Sequence, residues 1–134
     1  MKIDARYAER EIDISATAAV FAVLEERLRA FAESEQLAML IEADCQSSPE
    51  PYPYRARRLL LRKRAQLLHV HCEDEQLIFE GCPAAFIAMA NHMPSAEGED
   101  SPGAGYHIHF DNVGAPETIA EECPCMVFCV LEDI

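Results

Sequence analysis

Hydrophobic and polar positions alternate with two different periods along this chain, and the switches between them predict its elements. Residues 9–14 read EREIDI, placing Ile12 and Ile14 on one face and Glu11 and Asp13 on the other, as in a half-buried strand. Ser15 or Thr17 then caps a helix running to about residue 33. Its apolar stripe is Val20, Phe21, Leu24, Leu28 and Phe31, with Glu25, Glu26, Arg27 and Arg29 outside. Residues 37–44 read as a second, mostly buried strand, and three prolines make 45–54 a loop.

Three short strands follow, at 56–64, 67–73 and 76–80. Pro83 suits the first turn of a helix over 83–93, whose small alanines allow close packing on a sheet. Residues 94–104 form a flexible loop. A strand at 105–111, a second loop at 112–123 and a strand at 125–131 complete the pattern. The last strand is apolar on both faces and belongs inside a sheet. No repeat occurs at solenoid periods. The reading is one α+β domain over 1–134, with a weak subdivision near 50–55 as the alternative. It has a mixed, mainly antiparallel sheet and two principal helices packed on one face.

Composition changes this picture mainly through charge. The 134 residues carry 11 Lys+Arg and 24 Asp+Glu, a formal net charge of −13. All eleven basic residues lie in 1–64, which also hold eleven acids; residues 65–134 hold the other thirteen acids and no Lys or Arg. Such a chain is a poor partner for nucleic acid or for anionic lipid. No apolar run approaches the roughly 20 residues needed to span a membrane. The charged start MKIDARYAEREIDIS lacks the apolar core of a signal peptide. A cytoplasmic setting follows, in which the six cysteines are thiols.

Residues 55–64, RARRLLLRKR, hold six of the eleven basic residues. As a binding patch they would suit nucleic acid or a membrane. The simpler reading is a hairpin through a turn at Ala65-Gln66, pairing Arg58 with Glu73 and Arg62 with His69.

Two His-x-His pairs lie on predicted strands, and each puts two imidazoles on one face. His69 and His71 share their face with Arg58, Arg62 and Arg64, which oppose a bound cation. His107 and His109 face away from Tyr106, Ile108 and Phe110, in an acidic field, with Asp111 following. These three residues are the candidates for partner recognition. They are equally the candidates for holding zinc or another divalent metal, as a metal-binding protein or metal-dependent enzyme would.

The spacing Cys123-Pro124-Cys125 is too tight for a structural zinc pair, and no matching pair exists. Cys82 at a helix start could be nucleophilic with His92, His107 or His109 as base, but the helix rise separates Cys82 from His92 by about 15 Å. Cys72 and Cys129 fall on apolar strand faces, as buried thiols do. Phosphate-binding glycine loops, Gly-x-Ser-x-Gly and His-Glu-x-x-His are absent. No catalytic residue and no required cofactor is expected.

One segment resembles a known family. Residues 67–131 run as a strand, the acidic turn Glu73-Asp74-Glu75, a strand ending in Gly81 and a short helix. A variable loop, the strand Tyr106-His107-Ile108-His109-Phe110-Asp111 and a last apolar strand follow. This resembles immunity protein family 32, small immunity domains of bacterial polymorphic toxin systems. The resemblance covers about half the chain. It implies a non-enzymatic protein that binds and neutralises a toxin, with His107, His109 and Asp111 matching the family's motif. A net acidic inhibitor suits a basic toxin partner, although acidic surfaces also serve solubility.

Overall fold

The computed structural model describes residues 1–44, 46–95 and 102–132. The chain opens with a hairpin, β1 (Asp4–Ala8) and β2 (Glu11–Ala16). Helix α1 (Ala18–Glu33) starts at Thr17, whose side-chain oxygen accepts the Val20 N–H at 3.3 Å. Such a cap is worth about 1 kcal/mol. The helix buries Phe21, Leu24, Leu28 and Phe31, the stripe read from the sequence. Strands β3 (Ala38–Glu42), β4 (Tyr54–Arg55) and β5 (Arg58–Lys63) follow, then the hairpin β6 (His69–Glu73) and β7 (Gln76–Gly81). Helix α2 (Pro83–Asn91) precedes β8 (His107–Phe110) and β9 (Cys125–Val130).

The class is α+β with mainly antiparallel strand pairs and two principal helices, as the sequence predicts, and the helices pack on each other. The strands divide between two sheets, ordered β4-β1-β2-β9-β8 and β3-β5-β7-β6. An internal duplication of topology explains that division. Apart from the two-residue β4, which pairs with β1, each half of the chain is hairpin, helix, hairpin: β1-β2-α1-β3-β5, then β6-β7-α2-β8-β9. The halves exchange their second hairpins, so β2 pairs in parallel with β9, and β5 in parallel with β7. Each sheet is built from strands of both halves. The alternation patterns of the halves share no sequence period, so the duplication was invisible before the pairing was known.

The helices lie antiparallel, with Glu25 near Ser95, Arg29 on Asn91 and Phe31 against Phe86. One apolar cluster joins them to the inner faces of both sheets, from Ile3 and Ile14 through Leu61 and Phe79 to Phe128. Each such side chain contributes roughly 1.5–3 kcal/mol by leaving water. Lys63 ties β5 to the end of α1, donating to the Ser34 carbonyl at 2.6 Å and lying 4.7 Å from the Phe31 ring centre. No helix among the described residues is long and apolar enough to cross a membrane.

Three expectations need correction. Residues 38–42 form an edge strand in which only Ile41 is fully buried, because β3 has a neighbour on one side alone. Strand β1 went unforeseen, since its inward positions include only Ala5 and Tyr7 and its outward ones are Asp4 and Arg6. The Arg-rich strand does not pair with β6. Strand β7 lies between them, buried on both faces through Leu77, Ile78 and Phe79. Residues 64–68 make no tight turn but cross the end of β7, where the Arg64 N–H donates to the Gly81 carbonyl at 2.8 Å. Gly81 permits the crossing: a Cβ there would lie 3.2 Å from the Leu68 Cα. The tight turn belongs instead to Asp74 and Glu75, both at positive φ, between β6 and β7. The loop expected at 94–104 has residues 96–101 outside the described residues.

Candidate functional site

Strand parity positions the site. In β8, Phe110 points into the core while His107 and His109 point outward. Phe110 pairs with Met126, so Asp111 falls opposite Cys125 one step beyond the strand. On the other side of β9, Cys125 is paired with Glu11 of β2. Glu11, Cys125 and Asp111 therefore form a row across three strands, with His109 on the adjacent diagonal.

The thiol of Cys125 donates to Asp111 Oδ2 at 3.5 Å and lies 3.7 Å from His109 Nδ1. The other carboxylate oxygen, Oδ1, accepts the Gly114 N–H at 2.9 Å, and the Ala115 N–H donates to the Asp111 carbonyl at 3.0 Å. That turn fixes the carboxylate and leaves Oδ2 facing the thiol. The loop behind it is anchored by fully buried Ile119, which bridges to Leu68, and by Asn112 donating to the Ile119 carbonyl at 2.7 Å.

Burial pushes the Cys125 thiol up to about 11, helped by its hydrogen bond to Asp111 and by the charges of Asp111 and Glu11. A nucleophilic cysteine needs the opposite shift. In a catalytic triad the imidazole would also stand between thiol and carboxylate, whereas here both groups face the sulfur. The arrangement is a set of convergent ligand atoms, not an activated nucleophile.

The candidates read from the sequence thus separate. His109 and Asp111 come together. His107 stands beside His109, with ring centres 5.4 Å apart, but its Nδ1 is 3.3 Å from the Gly105 carbonyl and it lies outside the cluster. Cys125 was missed because its role depends on the β8–β9 register. The available signal was that Asp111 and Cys125 bound two strands facing each other across a loop.

The remaining candidates do not assemble. Cys82 and His92 stand at opposite ends of α2, and His92 Nδ1 is 2.8 Å from the Ala88 carbonyl. His69 and His71 point outward from β6, with Glu80 of β7 next to them. Glu80 meets Arg64 Nε at 3.1 Å, Arg62 at 4.0 Å and His71 Nδ1 at 3.7 Å, so its charge is already answered. Cys72, expected to be buried, is exposed. It borders a cleft of about 560 Å³ between the sheets, where Tyr7 and Tyr54 stack with ring centres 5.3 Å apart. Burial and the neighbouring Cys72 push the Tyr7 hydroxyl above its ordinary value.

Among the described residues, Glu75 and Glu80 hold ion pairs with the Arg-rich segment, whereas Asp111, Glu117, Glu121 and Glu122 hold none. Glu9, Glu121 and Glu122 line a groove of about 520 Å³ in which Arg10 is the basic residue. The chain matches no protein-family model, no curated protein and no solved structure.

Proposed function

We propose that this chain is a protein-binding module of the immunity type, an inhibitor that masks a basic partner such as a toxin. It uses the acidic end of its five-stranded sheet. The observation that carries the reading is the groove lined by Glu9, Glu121 and Glu122, with Asp111 and Glu117 on the same β8–β9 connection and none of the five in an ion pair among the described residues. Unanswered surface carboxylates raise the local negative potential, which speeds encounter with a cationic protein and rejects anionic ones. The same field disfavours nucleic acid and anionic membranes. A cytoplasmic setting accords with the free thiols of the described cysteines.

The test is binding to the product of the adjacent gene, where an immunity protein's toxin is expected. The reading predicts a complex that weakens with salt. Glu121→Lys plus Glu122→Lys should slow association while leaving the fold intact. No binding to any cationic protein at low salt, or binding indifferent to this charge reversal, would contradict it.

A further inference from the structure

We propose that Cys125, His109 and Asp111 form a binding site for a divalent transition metal, with zinc the best match, on the outer face of the five-stranded sheet. The spacing of the ligand atoms carries the proposal. With Zn–S near 2.3 Å and Zn–N or Zn–O near 2.0–2.1 Å, a tetrahedral site has S···N and S···O edges of about 3.6 Å. The corresponding separations here are 3.7 Å and 3.5 Å, and no two of the three ligand atoms are more than 4.8 Å apart. Two of the three edges thus match such a site, and rotation of the His109 or Asp111 side chain would set the third.

The donor set points to the class of metal. One sulfur, one imidazole nitrogen and one carboxylate oxygen suit zinc or its close neighbours and disfavour calcium and magnesium, which take oxygen alone. On binding, the Cys125 S–H loses its proton to solvent and the sulfur lone pair forms the bond to the metal. Thiolate and carboxylate then balance a doubly charged ion. The fourth position falls to water or to Glu11, the cross-strand neighbour of Cys125. No Lys or Arg pairs with Asp111 or Glu11 among the described residues, so no cation must be displaced. The Asp111 turn supplies the orienting second contact that such ligands usually have, through Gly114.

This site keeps His109 and Asp111 from the set read in the sequence and puts Cys125 in place of His107, and it does not rest on the inhibitor reading. The test is titration of reduced, tag-free protein with Co²⁺, followed by absorbance and then by Zn²⁺ competition. The expected result is one equivalent of Co²⁺ giving thiolate-to-cobalt charge transfer in the near ultraviolet and tetrahedral bands in the visible, both abolished by Zn²⁺. Cys125→Ser should remove the charge-transfer band. His109→Ala should weaken affinity by more than the roughly 10–100-fold typical of outer contacts. His107→Ala, Cys123→Ser and Cys129→Ser should leave the spectrum unchanged. Asp111→Asn keeps an acceptor for Gly114 and should still weaken binding, so loss of fold is distinguished from loss of a ligand. Absence of a stoichiometric band, or a charge-transfer band surviving Cys125→Ser in folded protein, would overturn the proposal.

Discussion

The two His-x-His strands occupy equivalent kinds of position and have opposite prospects. Strand β6 is one edge of the four-stranded sheet and β8 is one edge of the five-stranded sheet. Each carries its imidazoles on the face away from the core, and each lies beside a strand offering a polar neighbour. Beside β6 that neighbour is Glu80, shared by Arg62, Arg64 and His71. Beside β8 it is Cys125, with Asp111 closing the row and no arginine attached. A carboxylate engaged by guanidinium groups has little field left for a ligand, whereas one held by a backbone amide and a neutral thiol keeps its charge. Histidine spacing is the same in both strands; the ownership of the neighbouring carboxylate separates them.

The largest change should come from undercutting the β8 edge. Phe110→Ala removes a buried ring that lies 4.5 Å from His92 and 6.3 Å from Phe128, centre to centre. A loss of about 3–5 kcal/mol in urea unfolding is expected. A loss nearer zero would mean that β8 is not anchored to the core. Gly81→Ala tests the crossing that separates β5 from β6. It should cost about 1–3 kcal/mol through overpacking on Leu68 and Ala85. An unchanged midpoint would argue for the direct hairpin instead.

That crossing also shows what the pattern of residues could and could not reveal. Helix α1 was legible because its stripe repeats over four turns and Thr17 stands at its start. Strand β9 was legible as an interior strand from its unbroken apolar run. The Arg-rich strand misled because its residues can be paired plausibly with either neighbour, and only the two-sided burial of Leu77–Phe79 puts β7 between. At the site, His109 and Asp111 lie close in sequence and were readable. Cys125 lies across a long loop, and its part in the cluster depends on a register that no local pattern specifies.

Alkylation kinetics sharpen the contrast at the sulfur. With its ionisation pushed up to about 11, Cys125 has less thiolate at pH 8 than an ordinary thiol, partly offset by greater thiolate nucleophilicity. Its labelling by iodoacetamide should be roughly tenfold slower than a free thiol's and should keep rising toward pH 11. Asp111→Asn should accelerate it, because the fully charged neighbour is gone. A rate already at its plateau by pH 8 would exclude the protonated, Asp111-bonded thiol. The smallest effect is expected at the other edge. Glu80→Gln removes the shared carboxylate at a cost of up to about 1 kcal/mol, shrinking as salt is added. A larger, salt-independent loss would show that Glu80 does more than answer nearby charge.

The contrast between the edges is tested most directly by titrating ¹⁵N-labelled protein with Zn²⁺ and following the imidazole nitrogens of the five histidines. The first equivalent should move the His109 ring signals and leave those of His69 and His71 in place. Movement of His69 and His71 at that equivalent, or a small shift spread evenly over all five rings, would contradict the assignment of the site to the β8–β9 edge.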